Sequence, residues 1–422
     1  MRLNKTFAAM LAALLSFCVV GNAAESDCLF SVPAPCDQAC AKKKSKIDVY
    51  GWVMTGITVN NHGNKNEYGG ASAYGYNNNP GQGALQDGSG NSSILMLEQP
   101  SDWKVNQLWV GAKKDLTEKF GVGFRADFAY GTDMRYSRNW GDQSFDYSWQ
   151  DGDYYFSAVQ LYGLIGTKDL NVQIGKFAGG FAYEGLAAPK EFFYSHANIC
   201  YGRPLVVEGA MVNWNANKKW TFNVGWTQGV FNTIGSSFDD NAFYGKVTYH
   251  ISKKADLTYK IFRNDKGIAF RTNKSIDTFN TLVFTYKLSD KWFYMIEGAI
   301  VDTDVNGNHS GDAWGINQHL IYTVNKKLSV GLRGEFHHSY NSMFDMASVT
   351  GGQGGDLYEL TLAANYNITD NIRFRPELRF DQADYANGFL PFGGSYQASD
   401  AGVVSGAASS QLSGGCSFVI TF

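Results

Sequence analysis

The sequence predicts an all-β protein, a transmembrane antiparallel up-and-down β-barrel of about 16 strands, from three observations. Segments of about ten to twelve residues alternate apolar and polar side chains, short polar turns recur about every 36 residues, and no stretch after the N-terminal leader approaches the ~18 apolar residues of a membrane helix. Strands of soluble sandwiches are usually ~5–6 residues long, whereas membrane-crossing strands need ~9–11. Long hairpins with short turns at one rim and longer loops at the other are typical of outer-membrane barrels.

The composition agrees with a large closed sheet. Charged residues make up 18% and aromatic residues 15% of the chain, with 47 glycines and only 8 prolines. Proline is scarce where many strands must stay fully paired. The mean hydropathy is −0.26 because only alternate residues of a barrel strand face lipid. A net charge of −3 gives no indication of a nucleic-acid partner.

The N-terminus predicts export. Arg2 and Lys5 precede an apolar run at 6–20 and then the small residues Ala23 and Ala24, which is the pattern of a secretory signal peptide. We therefore divide the chain into a signal peptide (1–23), a periplasmic segment with cysteines and lysines (24–46), and the barrel (47–422). The expected location is the outer membrane of a Gram-negative-type bacterium.

Five cysteines follow the predicted signal peptide, namely Cys28, Cys36, Cys40, Cys200 and Cys416. Export to an oxidising compartment permits disulfides, but the spacing leaves their pairing open. A zinc site is the less favoured alternative, because the first three cysteines have no nearby histidine and no paired CxxC spacing.

The alternation predicts sixteen strands joined by seven short turns at the periplasmic rim. The expected strands are 47–60, 103–114, 120–133, 155–167, 170–178, 205–216, 220–230, 241–251, 255–264, 277–288, 291–302, 313–324, 328–338, 356–367, 371–382 and 411–422. The longer connections are 61–102, 134–154, 179–204, 339–355 and 383–410, and a barrel carries such loops on its extracellular rim.

The polar face of these strands carries charges of both signs. In the segment 120–131, Phe124 and Phe128 lie on one face, and Arg125 and Asp127 on the other. A charge facing lipid costs up to ~2–4 kcal/mol at the midplane, so these side chains must face a hydrated lumen. Sixteen strands leave an aqueous channel rather than a packed interior.

The last strand ends on an aromatic residue. Phe418, Ile420 and Phe422 alternate with polar or smaller residues up to the chain terminus. With the signal peptide, this pattern resembles the C-terminal signal that the barrel-assembly machinery of bacteria reads. Phe422 is therefore the predicted assembly residue.

Several short motifs resemble the OmpL-like β-barrel porin family. They are Gly51-Trp52, Asn106-Gln107-Leu108, the segment 129–136, the segment 192–196 with 201–204, and Gly225-Trp226-Thr227. The resemblance covers 48–422. The cysteine-containing N-terminal segment and Cys200 are not features of that family, so their role stays open. It implies an outer-membrane porin, a water-filled channel for passive diffusion of small hydrophilic solutes and ions. The expected partners are outer-membrane lipid and those solutes, and analogy with sixteen-stranded porins suggests a homotrimer.

The third outer loop, 179–204, is the expected in-folded constriction, because sixteen-stranded porins often fold this loop into the lumen. Together with charges of the wall it would form a transverse field that sets ion preference. The alternative is that these charges are scattered, paired wall residues. The candidates are Arg125, Asp127, Glu184, Lys190, Glu191, His196, Arg203, Glu208, Arg333, Glu335, Glu359, Arg373, Arg375 and Arg379.

A weak match to a calcium loop lies at an outer hairpin tip. Asp302, Asp304 and Asn306 have the spacing of its first three ligands, but Ala313 stands where the closing glutamate belongs. An ordinary Asn-Gly turn is the favoured explanation. No other cofactor is expected.

Two other function classes remain as alternatives. An outer-membrane barrel enzyme would need a nucleophile with a positioned histidine, and Ser195-His196 are only sequence neighbours. The other class is a structural or adhesive barrel that binds a surface partner through its loops. A plugged transporter is disfavoured, since about 45 N-terminal residues cannot build a plug.

Overall fold

Sixteen long antiparallel strands form one closed sheet in the computed structural model, which describes residues 47–62, 97, 102–137, 150–151, 154–200, 205–229, 241–265, 275–305, 308–340, 354–385, 392 and 408–422. In that part of the chain, the helices are three short 3-10 turns, Thr132–Tyr136, Ala188–Lys190 and Asn198–Cys200. None of its helices has the length and apolar character needed to cross a membrane.

The strands alternate in direction around the barrel, and a two-residue strand, β4, pairs only with β5. In chain order they are β1 Asp48–Asn60, β2 Lys104–Lys114, β3 Gly121–Gly131, β4 Gln150–Asp151, β5 Tyr154–Gly166, β6 Leu170–Ala178, β7 Val206–Asn217, β8 Trp220–Thr227, β9 Ala242–Ser252, β10 Ala255–Asn264, β11 Ser275–Lys287, β12 Trp292–Val305, β13 Asn308–Thr323, β14 Leu328–Tyr340, β15 Gly355–Asn367, β16 Ile372–Tyr385 and β17 Ser410–Thr421. The predicted strand number is confirmed.

The barrel closes where β1 pairs with β17. Their register runs from Trp52 opposite Thr421 to Asn60 opposite Ser413. Beyond it, Gly51 and Phe422 exchange two backbone hydrogen bonds of 3.0 and 2.9 Å. A β-carbon at Gly51 would overlap the Phe422 ring, so the predicted assembly residue packs directly over a glycine of the first strand.

The alternation places apolar side chains outside and polar ones inside. The exposed apolar side chains on the outer face include Leu108, Val122, Ile174, Val212, Val224, Leu282, Ile316, Leu332 and Leu360. Aromatic pairs cluster beside the short turns, with Trp220 and Tyr249 at 4.5 Å and Trp292 and Tyr322 at 4.6 Å between ring centroids. Aromatic belts of this kind mark the interfaces of a membrane-spanning barrel.

Some strands run further than the alternation predicts. β12 continues to Val305 and β13 begins at Asn308. β14, β15 and β16 are also longer than predicted at the same rim. Polar residues such as Asp302 and Asp304 interrupt the apolar pattern there, but the backbone ladder continues. The pattern reports where side chains meet lipid, whereas the hydrogen-bonded strand continues past that boundary.

Candidate functional site

The segment 179–200 lies inside the barrel and is bonded to its inner wall along most of its length. Phe181 packs edge-on against Tyr244 of β9 and Phe262 of β10, at 5.0 and 4.9 Å. Further along, the carbonyl of Leu186 accepts a 2.8 Å hydrogen bond from Gln107 of β2. β2 and β10 are almost opposite each other in the strand order, so the segment crosses the lumen.

The first half of the crossing follows β10 to β14. The Lys260 ammonium donates to the carbonyl of Ala182 at 2.8 Å. The backbone N–H of Tyr183 donates to the Glu297 carboxylate at 3.0 Å. Each wall side chain therefore bonds a backbone group of the loop that would otherwise be buried without a partner.

Glu184 is the most heavily bonded side chain of the segment. Its carboxylate lies 2.9 Å from the Arg333 guanidinium and 3.2 Å from His319, and it accepts the N–H of Ala197 at 2.7 Å. Burial acts to raise the pKa of Glu184, but Arg333 and His319 more than offset it, so that pKa lies well below its usual range. Glu184 is therefore an ionised anchor.

Arg333 is fully buried and links the loop to the barrel wall. It donates to Glu359 at 3.0 Å on the neighbouring strand β15. It also donates to the carbonyl of Ser195 at 2.7 Å and to the Ser195 hydroxyl at 2.8 Å. Its guanidinium lies 4.8 Å from the centre of the Phe193 ring. One arginine thus fixes both limbs of the loop.

β16 holds the return limb through three alternate side chains. Arg375 donates to the carbonyls of Glu191 and Phe193, at 3.1 and 3.2 Å. Glu377 accepts the N–H of Tyr194 at 2.8 Å. Arg379 donates to the carbonyl of His196 at 2.6 Å, while Asp381 neutralises it at 2.8 Å.

Glu335 and two glycines complete the fit of loop to wall. Glu335 accepts the N–H groups of Asn198, at 2.6 Å, and of Ile199. A β-carbon at Gly331 would overlap the ring of Phe192, and one at Gly56 would overlap Tyr194. The wall is therefore shaped, as well as charged, to receive the loop.

These contacts differ from the expectation that the wall charges face channel water. Arg333, Arg375 and Arg379 are at most 1% exposed, and Glu335 and Glu359 are 6% and 4% exposed. The reason is that the loop covers them. Four of them bond its backbone, and Glu359 bonds Arg333. They hold the loop in place. This arrangement is similar to the alternative in which the wall charges are paired, except that the pairs are buried and not solvated.

Other predicted residues are more accessible. Arg125 is 21% exposed and donates to the buried Asp127 at 2.8 Å. Lys190 is exposed, and Glu191 and Arg373 are half-buried. Arg373 donates to the carbonyl of Pro189 at 3.2 Å. These residues lie where the loop approaches β2, β3 and β16.

The imidazole of His196 is buried and bonds the carbonyl of Gly185 at 2.9 Å. Burial lowers the pKa of His196. Its partner is a backbone group of the same loop, so its position is explained by the loop's own conformation.

Glu208 does not line the lumen, in contrast to the expectation. It is opposite Lys176 in the register of β6 and β7, with the same parity as Val212 and Trp214, which are exposed on the outer face. The alternation of β7 already contained this signal, since Asn213 and Asn215 have the opposite parity.

The remaining candidates lie at the rim. Asp302 is exposed and Asp304 half-buried, both on β12. Among the described residues, no group of three or more His, Cys, Asp or Glu side chains is arranged to hold a metal ion. Asn306 and Arg203 lie outside the described residues, as do Cys28, Cys36 and Cys40 and the predicted signal peptide. Cys416 is a free thiol, and Cys200 is buried with its Sγ 3.7 Å from the Glu184 carboxylate.

The inner face from β5 to β9 is less covered than the wall beneath the loop. Asn213 donates to Asn171 at 3.0 Å, and Asn223 donates to Asn213 at 2.6 Å, which forms a row of half-buried amides across β6, β7 and β8. Lys246 of β9 follows in the same register and is also half-buried. We name the part of the inner wall from β3 to β9 that the loop leaves partly accessible, from Arg125 to Lys246, the open half of the lumen.

Several anchoring residues were not among the predicted site residues. The alternation already puts Glu377 and Asp381 on the polar face of β16. Nothing in the sequence distinguishes Gln107, Lys260 or Glu297 as loop contacts, because their partners are backbone groups of a distant segment.

Solved structures of outer-membrane proteins share this fold at low sequence identity. An anion-selective porin from Comamonas acidovorans is 10% identical, with 90% of this chain and 100% of that chain covered and a TM-score of 0.57. The trimer form of OmpT from Vibrio cholerae is 12% identical, with 89% and 99% covered and a TM-score of 0.56. The channel DcaP of Acinetobacter baumannii is 11% identical, with 90% and 99% covered and a TM-score of 0.54.

A search of curated protein sequences finds no match to the chain. The family model described as "Putative beta-barrel porin-2, OmpL-like" matches residues 46–422, which is the whole barrel. The closed sixteen-stranded sheet agrees with that match. The chain belongs to the OmpL-like family of β-barrel porins and is a porin of the outer membrane.

Proposed function

We propose that this porin passes small hydrophilic solutes and ions by passive diffusion through the open half of the lumen. The observation that supports this is the asymmetry of the inner wall. From β12 to β16 the wall charges are committed to the loop, whereas Asn171, Asn213, Asn223 and Lys246 remain partly accessible. A water-filled route lined by polar side chains is what a porin of this size provides.

A catalytic role has little support in the loop geometry. The hydroxyl of Ser195 accepts a hydrogen bond from Arg333 at 2.8 Å, and the imidazole of His196 bonds the carbonyl of Gly185 at 2.9 Å. A nucleophile requires a base within hydrogen-bonding reach, and each of these side chains instead has a structural partner. We therefore propose that the barrel is a channel without an enzymatic step.

The experiment is reconstitution of the purified barrel in planar bilayers and in liposomes. We expect stepwise conductance increments and swelling of liposomes in small sugars. A barrel that inserts but neither conducts nor admits sugars would contradict the proposal and favour an adhesive or structural role. Ester hydrolysis by such a silent barrel would favour the enzyme alternative.

We also propose a homotrimer, since the similar OmpT of Vibrio cholerae has been solved in a trimer form. Mild-detergent extracts should contain a species of three times the monomer mass that dissociates on heating. A monomer under the same conditions would contradict the trimer without affecting the channel proposal.

A further inference from the structure

Lys190 lies at the accessible side of the loop, at the end of the short turn Ala188–Lys190. Its side chain is exposed and, within the described residues, has no hydrogen-bonding or ion-pair partner. Burial, followed by the positive charge of Arg125, lowers the pKa of Lys190, while the carboxylates of Glu191 and Asp127 act in the opposite direction. In the part of the chain that the structure describes, Lys190 is therefore an exposed cation without an ion-pair partner at the edge of the open half.

The anions close to Lys190 are already engaged. Asp127 is fully buried and accepts hydrogen bonds from Arg125 at 2.8 Å, from Gln160 at 2.7 Å and from Tyr50. Glu191 accepts the N–H of Gly185 at 2.7 Å. Burial, followed by the charge of Glu184, raises the pKa of Glu191 to about 8. Neither carboxylate forms an ion pair with Lys190.

The other end of the open half also carries a cation. Lys246 of β9 is half-buried and has no ion-pair partner among the described residues. The wall that leads to it is the neutral amide row of Asn171, Asn213 and Asn223. The nearest inward acid on β10, Asp256, is bonded to His250 at 2.7 Å.

We propose that the open half prefers anions, with Lys190 on the loop and Lys246 on β9 as the residues that set this preference. This inference rests on the proposed channel function. Fixed positive charges that are not neutralised lower the energy of an anion in a pore and raise that of a cation. The permeant class is therefore small anions, inorganic or organic, and no specific solute is implied.

The test is the reversal potential of the reconstituted full-length channel in a potassium chloride gradient. We expect the wild type to favour chloride, and Lys190→Glu with Lys246→Gln to lower the chloride-to-potassium permeability ratio at least about twofold. The ratio should also fall at 1 M salt, because the Debye length shrinks from about 10 Å at 0.1 M to about 3 Å. Lys218→Gln, on an exposed periplasmic turn, is the control and should leave the ratio unchanged.

The possible failures are distinguishable. A conducting wild type that favours potassium, or a double variant with the wild-type ratio, would overturn the anion preference and leave the porin intact. A folded barrel without any conductance would overturn both proposals. Retained heat-modifiable migration on gels would show that each variant still forms the barrel.

Discussion

The Arg333 guanidinium on the barrel wall lies 2.9 Å from the Glu184 carboxylate on the in-folded loop, and both side chains are almost completely buried. The pair joins residues that are 149 positions apart in the chain. It is the centre of a network in which arginines and carboxylates of β14 and β16 bind backbone groups of the loop. The position of the loop, and hence the shape of the channel, depends on this network.

Arg333→Met should release the loop. The change leaves Glu184 and Glu359 buried without their cation, and breaking a buried pair in this way costs about 3–5 kcal/mol. We expect a larger and noisier single-channel conductance, together with new protease cleavage within 179–200. Lys254→Met, on an exposed turn, is the matched control.

A second substitution makes the pair test more specific. Glu184→Gln in the Arg333→Met background removes one of the two buried carboxylates that have lost their cation. Part of the lost stability of the loop should therefore be recovered. Simple additivity of the two single effects would argue against a direct coupling of these residues.

Raising the pH should loosen the loop through Glu191. The pKa of this carboxyl is raised to about 8 in the folded protein, against about 4.3 in an unfolded chain. Between these values only the folded state keeps the proton, so this group's contribution to stability falls as the pH rises and levels off above about 8. Protease cleavage of the loop should therefore increase between about pH 5 and 8 and change little above that range.

Glu191→Gln should remove that pH dependence. The amide oxygen can still accept the N–H of Gly185, which Glu191 accepts at 2.7 Å, but the side chain no longer ionises. If cleavage of this variant depends on pH as it does in the wild type, another titrating group must control the release of the loop.

Gly331→Ala should displace the loop without changing any charge. A β-carbon at Gly331 would overlap the ring of Phe192, whereas one at Gly298 has no atom within 4 Å. Overpacking of this kind costs about 1–3 kcal/mol. We expect altered conductance for Gly331→Ala and wild-type conductance for Gly298→Ala. Equal behaviour of the two variants would mean that the loop tolerates movement of Phe192.

Gly51→Val should impair closure of the barrel. The new side chain would overlap both the Phe422 ring and the carbonyl of Trp109, where the first and last strands meet. We expect a smaller heat-modifiable fraction in the outer membrane, similar to that after deletion of Phe422. Gly163→Ala, which meets no atom within 4 Å, is the control. Normal yields of folded Gly51→Val would contradict a role for this contact in assembly.

Much of the fold could be read from the sequence because the relevant signal is local. Side-chain direction alternates with every residue of a strand, so Phe124 and Phe128 predict the lipid face of β3 and Arg125 its inner face. The same rule, applied to Asn213 and Val212, would have placed Glu208 outside. The short turns fix the strand number for the same reason, since each joins two neighbouring segments.

The sequence by itself determined the barrel, the number of strands and the face on which nearly every wall side chain lies. Only the tertiary structure decided which inner charges meet water. Arg375 and Lys190 are both charged residues directed into the lumen. Arg375 donates its hydrogen bonds to loop carbonyls, whereas Lys190 is exposed. The physical reason is that the loop's backbone groups take their partners from strands far away in the chain, as in the bond from Tyr194 to Glu377 across 183 positions. Local alternation contains no information about such pairings.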